Sequence, residues 1–154
     1  MTHPAWLEPA DFAAVIRLAP LVSIDLILRD PDGHALLGWR ANRPAQDHWF
    51  VPGGRIGKNE KLADAFARIL KGETGLEHPY SEARLLGVYE HFYADNHLGL
   101  REFGTHYVVV GTELRLPTRP AIVTDEQHSR MRWMAPTDIL EAPDVHENTK
   151  AYFR

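Results

Sequence analysis

Apolar and polar positions alternate in ways that separate the chain into short elements. Pro9 opens a predicted helix that runs to about Leu18, with Phe12, Val15 and Ile16 on one face and Pro20 closing it. LVSIDLILR, Leu21 to Arg29, reads as a strand. The DPDG that follows is a turn, and ALLGW returns, so a hairpin is expected. In KLADAFARILKGE, Leu62, Phe66 and Ile69 recur at helical spacing. Asn59 is the expected cap of that helix and Gly75 its expected stop. RLLGVYEHF and THYVVVGTELRL are two further strands, separated by a polar loop, and MRWM is a short one. PTDIL begins a short helix, and HENTKAYFR is a candidate for another. Strands outnumber helices and the order is mixed. The prediction is an α+β fold, an α/β/α sandwich with a mixed sheet flanked by helices.

With 154 residues the chain suits one domain, residues 1–154, with a short N-terminal helical segment. Its formal net charge of -4 argues against a nucleic-acid polymer as the main partner. Local basic residues can still hold a small phosphorylated ligand. Cysteine is absent, which excludes disulfides, thiolate nucleophiles and cysteine metal sites. The N-terminal MTHPAWLEPADF does not read as a signal peptide, and no stretch is apolar enough to span a membrane. The expected location is the cytoplasm.

One stretch stands apart from these elements. HWFVPGGRIGKNE, His48 to Glu60, packs a proline and three glycines directly before the amphipathic helix. Most of its residues oppose regular structure. A glycine carbonyl there can face a cation or ligand, and the next helix offers free N–H groups near its start. Positions 69, 72 and 73 share one helix face. A carboxylate on that face can meet a hard cation such as magnesium. A structural turn followed by a solvated charge run explains the same spacing equally well.

The stretch from Gly54 to Leu76 resembles the signature of the Nudix hydrolases. Gly54, Glu60, Arg68, Leu70, Glu73, Gly75 and Leu76 stand in register with it. Two positions depart: Ile69 and Gly72 stand where that signature usually has glutamates. The flanks, WRANRPAQDHWFVPGGR, PLVSIDLIL, HFYADN, THYVVVG, DEQH and VHENTKAYF, resemble the GDP-mannose mannosyl hydrolase branch, roughly from Asp11 to Phe153. In that branch the signature is altered in the same two places.

The resemblance implies a Mg²⁺-dependent enzyme, with Mn²⁺ able to substitute, that releases GDP from GDP-mannose, with GDP-glucose a second candidate substrate. Water would attack the anomeric carbon, with inversion. Glu73, the Gly53 carbonyl and Gln127 are the implied metal ligands, and His128 the implied general base. Arg40, Arg55 and His91 are expected to take the charge of the departing GDP. Asp25 is expected to hold the sugar or an arginine, and Tyr107 to touch phosphate or pack the sheet. Arg68 is expected to pair with Glu60 or Glu73. Trp49, Phe50 and Phe92 either stack on guanine or pack the core. A homodimer is implied. Two other functions compete: a pyrophosphohydrolase cutting phosphorus–oxygen bonds, and a nucleotide-binding domain without turnover.

Overall fold

The computed structural model describes residues 7–122 and 130–154. Its first helix, α1, is Pro9–Leu18. Then come strands β1 (Leu21–Arg29), β2 (Ala35–Arg40), β3 (His48–Phe50) and β4 (Gly53–Arg55). Helix α2 is Leu62–Thr74, followed by β5 (Arg84–Tyr93), β6 (Thr105–Arg115) and β7 (Met131–Met134). Short helices α3 (Pro136–Glu141) and α4 (Glu147–Lys150) and a 3-10 turn at Ala151–Phe153 end the chain.

The strands form one mixed sheet. Its main path runs β3-β2-β1-β6-β5, with β4 on β1 and β7 on β2. β1 and β6 run parallel over nine paired positions, and the other strand pairs are antiparallel. The β1–β2 hairpin turns where expected. Asp30 Oδ1 accepts from the backbone of Asp32 and His34, and Gly33 takes φ 83.

One sheet face carries Ile24, Leu26, Leu28 and Leu114, and α2 covers it with Phe66, Ile69 and Leu70. The opposite face carries Ile27, Leu37 and Trp49 under Ile139, Val145 and Tyr152. Helices thus lie on both faces, as the mixed strand and helix order predicts. A third cluster seats α1 on the molecule through Phe12, Ile16 and Leu21, joined by Leu98 and Phe103.

Two local expectations need correction. Asn59 does not cap α2. It takes φ 65 within the preceding turn, and the helix begins after Lys61 with no side-chain cap. The turn is closed instead by Glu60, whose Oε1 accepts from the Gly57 N–H at 2.9 Å. The glycine-rich stretch is also not all loop, because His48–Phe50 and Gly53–Arg55 within it pair as β3 and β4. Gly75 does stop α2, in the left-handed region at φ 77.

Candidate active site

The site is built around β4. Leu26 N–H bonds to the Pro52 carbonyl, and Ile56 N–H to the Val22 carbonyl, both across the β1–β4 pair. Bonded and non-bonded pairs alternate in an antiparallel ladder, so the intervening Asp25–Gly53 pair is non-bonded. The Gly53 carbonyl therefore faces away from β1, over an edge where no other described strand pairs with β4. Glycine is required there. A Cβ at position 53 would lie 2.5 Å from Asp25 Oδ1 and 2.7 Å from the Ile24 carbonyl oxygen.

Helix α2 sits against this strand through Ile69, which is 3% exposed and would lie 3.0 Å from a Cβ at Gly54. Ile69 is thus a core residue wedged against the β4 backbone. Gly72, one turn on, is exposed, and a Cβ there would have no neighbour within 4 Å. Of the 69/72/73 face, Glu73 alone brings a carboxylate. Arg68 pairs with Glu60, one of the two partners expected for it. Its Nε and Nη2 donate to the two Glu60 oxygens at 2.8 Å each, and Nη2 also reaches the Arg55 carbonyl.

A cleft of about 2030 Å³ opens over these elements, larger than the roughly 300–1,000 Å³ usual for a compact ligand. It is lined by Asp25, Arg40, Gly53, Arg55, Glu73, His91 and Tyr107. These seven candidates, from six separate elements, share one cavity. Gln127 and His128 lie outside the described residues.

Each charged group has a physical setting. Arg40 donates from Nε to the Pro44 carbonyl at 2.6 Å and lies over the Phe50 ring. Arg55 stacks on Phe12 of α1, 4.1 Å from guanidinium carbon to ring centre. Burial lowers the pKa of Arg55. Burial also pushes Asp25 up to about 6, against a hydrogen bond from Tyr152 and the charge of Arg40. His91 is 5% exposed, and its Nε2 has no hydrogen-bond partner among the described residues. Burial first, and His146 second, hold it at about 4, so its imidazole is neutral near pH 7. A neutral imidazole keeps one N–H to donate. Burial raises the Tyr107 hydroxyl, with Arg40 and Arg55 acting in the opposite sense.

Sequence reasoning assigned no role to Tyr93 or Tyr152. Tyr93 lines the cleft and accepts a hydrogen bond from Asn148 at 3.1 Å; burial pushes its phenol up to about 12. Tyr152 donates to Asp25 Oδ2 at 2.6 Å. Both stand in segments, HFYADN and VHENTKAYF, whose resemblance was visible without showing which member mattered. The aromatic candidates divide. Trp49 is core, Phe50 is buried and stacks on His146 at 4.7 Å, and Phe92 is 65% exposed against His106, outside the cleft.

The family model described as the NUDIX domain matches residues 19–154. The chain belongs to the Nudix family. It is 39% identical over 127 residues to the low-salt glycan biosynthesis protein Agl8 of Haloferax volcanii, covering 82% of this chain and 78% of that one. The MutT NUDIX hydrolase of Burkholderia pseudomallei superposes with a TM-score of 0.67 at 28% identity, over 87% of this chain and 95% of that one. The NUDIX domain of Shewanella oneidensis NrtR, solved with ADP ribose, superposes with a TM-score of 0.64 at 22% identity, over 95% and 96% of the two chains. The Nudix fold expected from the signature is the fold observed, and Nudix hydrolases act on nucleotide substrates, typically with a divalent metal.

The cleft's donors suit such an ion. Among the described residues no three His, Asp or Glu side chains converge there. The candidate groups are the Glu73 carboxylate and the outward Gly53 carbonyl, both hard oxygen donors. Magnesium accepts that kind of partial shell and completes it with water and phosphate. A separate trio, Asp30, Asp32 and His34, does come within 4.8 Å at the β1–β2 turn. The Arg119 guanidinium already holds it, reaching Asp30 Oδ2 at 2.5 Å and His34 Nδ1 at 2.8 Å. Among the described residues, no helix is long and apolar enough to cross a membrane.

Proposed function

We propose that this Nudix hydrolase releases GDP from a GDP-hexose, GDP-mannose first, by water attack at the anomeric carbon. The observation that carries the reading is the composition of the cleft. One signature carboxylate, Glu73, remains on a helix face where Ile69 is buried and Gly72 has no side chain. Two arginines and a buried neutral histidine line the same space. Attack on phosphorus in a multi-metal site needs more carboxylate than this. Departure of an intact diphosphate needs donors that strengthen as charge grows on the leaving oxygen, and Arg40, Arg55 and His91 are such donors. The glycan-biosynthesis name of the Haloferax relative fits a sugar-nucleotide substrate.

In this reading Glu73, the Gly53 carbonyl and Gln127 hold Mg²⁺, and Mn²⁺ substitutes. Bound there, the cation would offset diphosphate charge. His128 takes the proton as the water oxygen bonds to C1. The C1–oxygen bond then breaks, and its electron pair leaves with GDP. Asp25 holds a sugar hydroxyl and Tyr107 a phosphate oxygen. The chain acts as a single domain over residues 1–154 and as a homodimer.

The test is turnover of GDP-mannose in ¹⁸O water, followed by mass spectrometry and proton NMR. Carbon attack gives unlabelled GDP and labelled mannose that appears first as the β anomer. Labelled GMP or labelled mannose 1-phosphate as the main product overturns the reading in favour of a pyrophosphohydrolase. Binding without turnover of either GDP-mannose or GDP-glucose supports the binding-domain alternative.

A further inference from the structure

Position 25 lies in an unusual row. Reading straight across the sheet, Gly53 on β4 faces Asp25 on β1, Asp25 faces Gly111 on β6, and Gly111 faces Gly87 on β5. Four strands meet along this row, and Asp25 brings its one side chain. A strand side chain is ordinarily fixed by the side chains directly beside it on neighbouring strands. Asp25 has glycine on both sides, so no side chain directly beside it in the row restrains its carboxylate.

The restraint comes from the C-terminal turn. Tyr152 is 8% exposed and packed with Ile27, Leu37 and Tyr89. Its hydroxyl lies 2.6 Å from Asp25 Oδ2. Tyr152 reaches that point because the row is empty. A Cβ at Gly111 would lie 3.0 Å from Tyr152 Cε1 and 2.8 Å from the Tyr89 ring, and one at Gly53 would lie 2.5 Å from Asp25 Oδ1. The glycines clear a slot, the carboxylate stands in it, and the phenol closes one side. Oδ2 is engaged by Tyr152, which leaves Oδ1 beside Gly53 in the cleft.

We propose that Tyr152 is a positioning residue: it fixes the Asp25 carboxylate in a glycine-cleared slot so that the free oxygen is presented to the sugar of the substrate. The inference rests on the GDP-hexose reading for the identity of the group presented to Asp25. It is separate from that reading as a statement about what orients the carboxylate. The Tyr152 ring also packs 4.6 Å from Tyr89 and 6.4 Å from His91, between ring centres. A Tyr152→Phe change keeps those ring contacts and removes the hydroxyl alone.

Two measurements on the full chain test this. The first compares wild type with Tyr152→Phe, using kcat/KM for GDP-mannose and the inhibition constant of GDP. Asp25 is assigned to the sugar, so the expected result is roughly a tenfold or greater fall in kcat/KM, the scale of one hydrogen bond to a charged group. The GDP inhibition constant should not change. A merely structural role moves both quantities together. That outcome, or an unchanged kcat/KM, overturns the proposal. The second measurement does not depend on activity. Tyrosine is labelled with ¹³C at Cζ, the Tyr152 resonance is assigned by its loss in Tyr152→Phe, and it is followed in Asp25→Asn. A shifted resonance is expected, because the phenol loses an anionic acceptor; an unmoved one overturns the proposal. If wild type turns over neither GDP-mannose nor GDP-glucose, the GDP-hexose reading fails, and the ¹³C resonance alone decides whether Tyr152 positions Asp25.

Discussion

Two glycines of the signature region should respond to the same substitution with opposite signs. Gly72 lies in the last turn of α2, a helix of 13 residues, and a Cβ there would meet nothing within 4 Å. Glycine inside a helix is destabilising by roughly 0.5–1 kcal/mol relative to alanine, through the backbone freedom it loses on folding. With no steric term to subtract, Gly72→Ala should stabilise the protein by about that amount. For a domain of this size, 1 kcal/mol corresponds to about 2–4 °C in Tm, so the expected rise is about 1–4 °C. Gly53→Ala is the counterpart. Its Cβ would stand 2.7 Å from the Ile24 carbonyl oxygen, a backbone atom that cannot swing aside, and 2.5 Å from Asp25 Oδ1. Overpacking of that kind costs about 1–3 kcal/mol. Thermal and urea unfolding of the two variants beside wild type measure both effects. A Tm for Gly72→Ala that falls, or equal shifts at both positions, would refute the steric reasoning.

Other outcomes follow from the site. Glu73→Gln should sharply weaken the Mg²⁺ dependence of turnover, and an unchanged metal titration would remove Glu73 from the metal site. His128→Gln should fold normally and lose roughly 10²–10⁴-fold in turnover, the range for a general base. That loss should shrink as pH rises, and a variant that keeps the wild-type acidic limb would place the base elsewhere. His91 sets a stability slope. It is held at about 4 in the folded protein, against an ordinary value of 6.5. The unfolded chain therefore binds the extra proton first as pH falls. The contribution of a neutral His91 is complete above pH 6.5 and is lost progressively as pH drops toward 4, by up to about 3 kcal/mol. Asp25, raised to about 6, works with the opposite sign in part of that window. Urea unfolding of His91→Gln across this range should therefore show a smaller fall toward acid than wild type, and an identical fall would contradict the assignment.

The sequence disclosed regular elements wherever one local period dominated. α1, β1, β5, β6 and α2 each carry an uninterrupted apolar pattern, and each forms as read. β3 and β4 were hidden because three residues hold too little pattern, and two of those in β4 are glycine. Asn59 was misleading because an Asn before a helix suits a cap and a positive-φ turn alike, and here the turn takes it. Ile69 carried two signals at once, a lost ligand in the signature and an apolar member of the helix face. The second describes its place in the core. The Asp25–Tyr152 bond spans 127 positions, and the glycines in the row around it come from three strands. No local pattern carries such information, because strand register decides it.

The Arg119 guanidinium is, in effect, a resident counter-ion. Asp30, Asp32 and His34 form a ready chelating turn, and the chain fills it with a cation of its own that cannot diffuse away. Because Arg119 Nη2 donates to His34 Nδ1, that nitrogen's lone pair is engaged as well. A change at position 119 would strip this guanidinium from the Asp30 carboxylate and the His34 imidazole, so one side chain sets the charge balance of the hairpin turn.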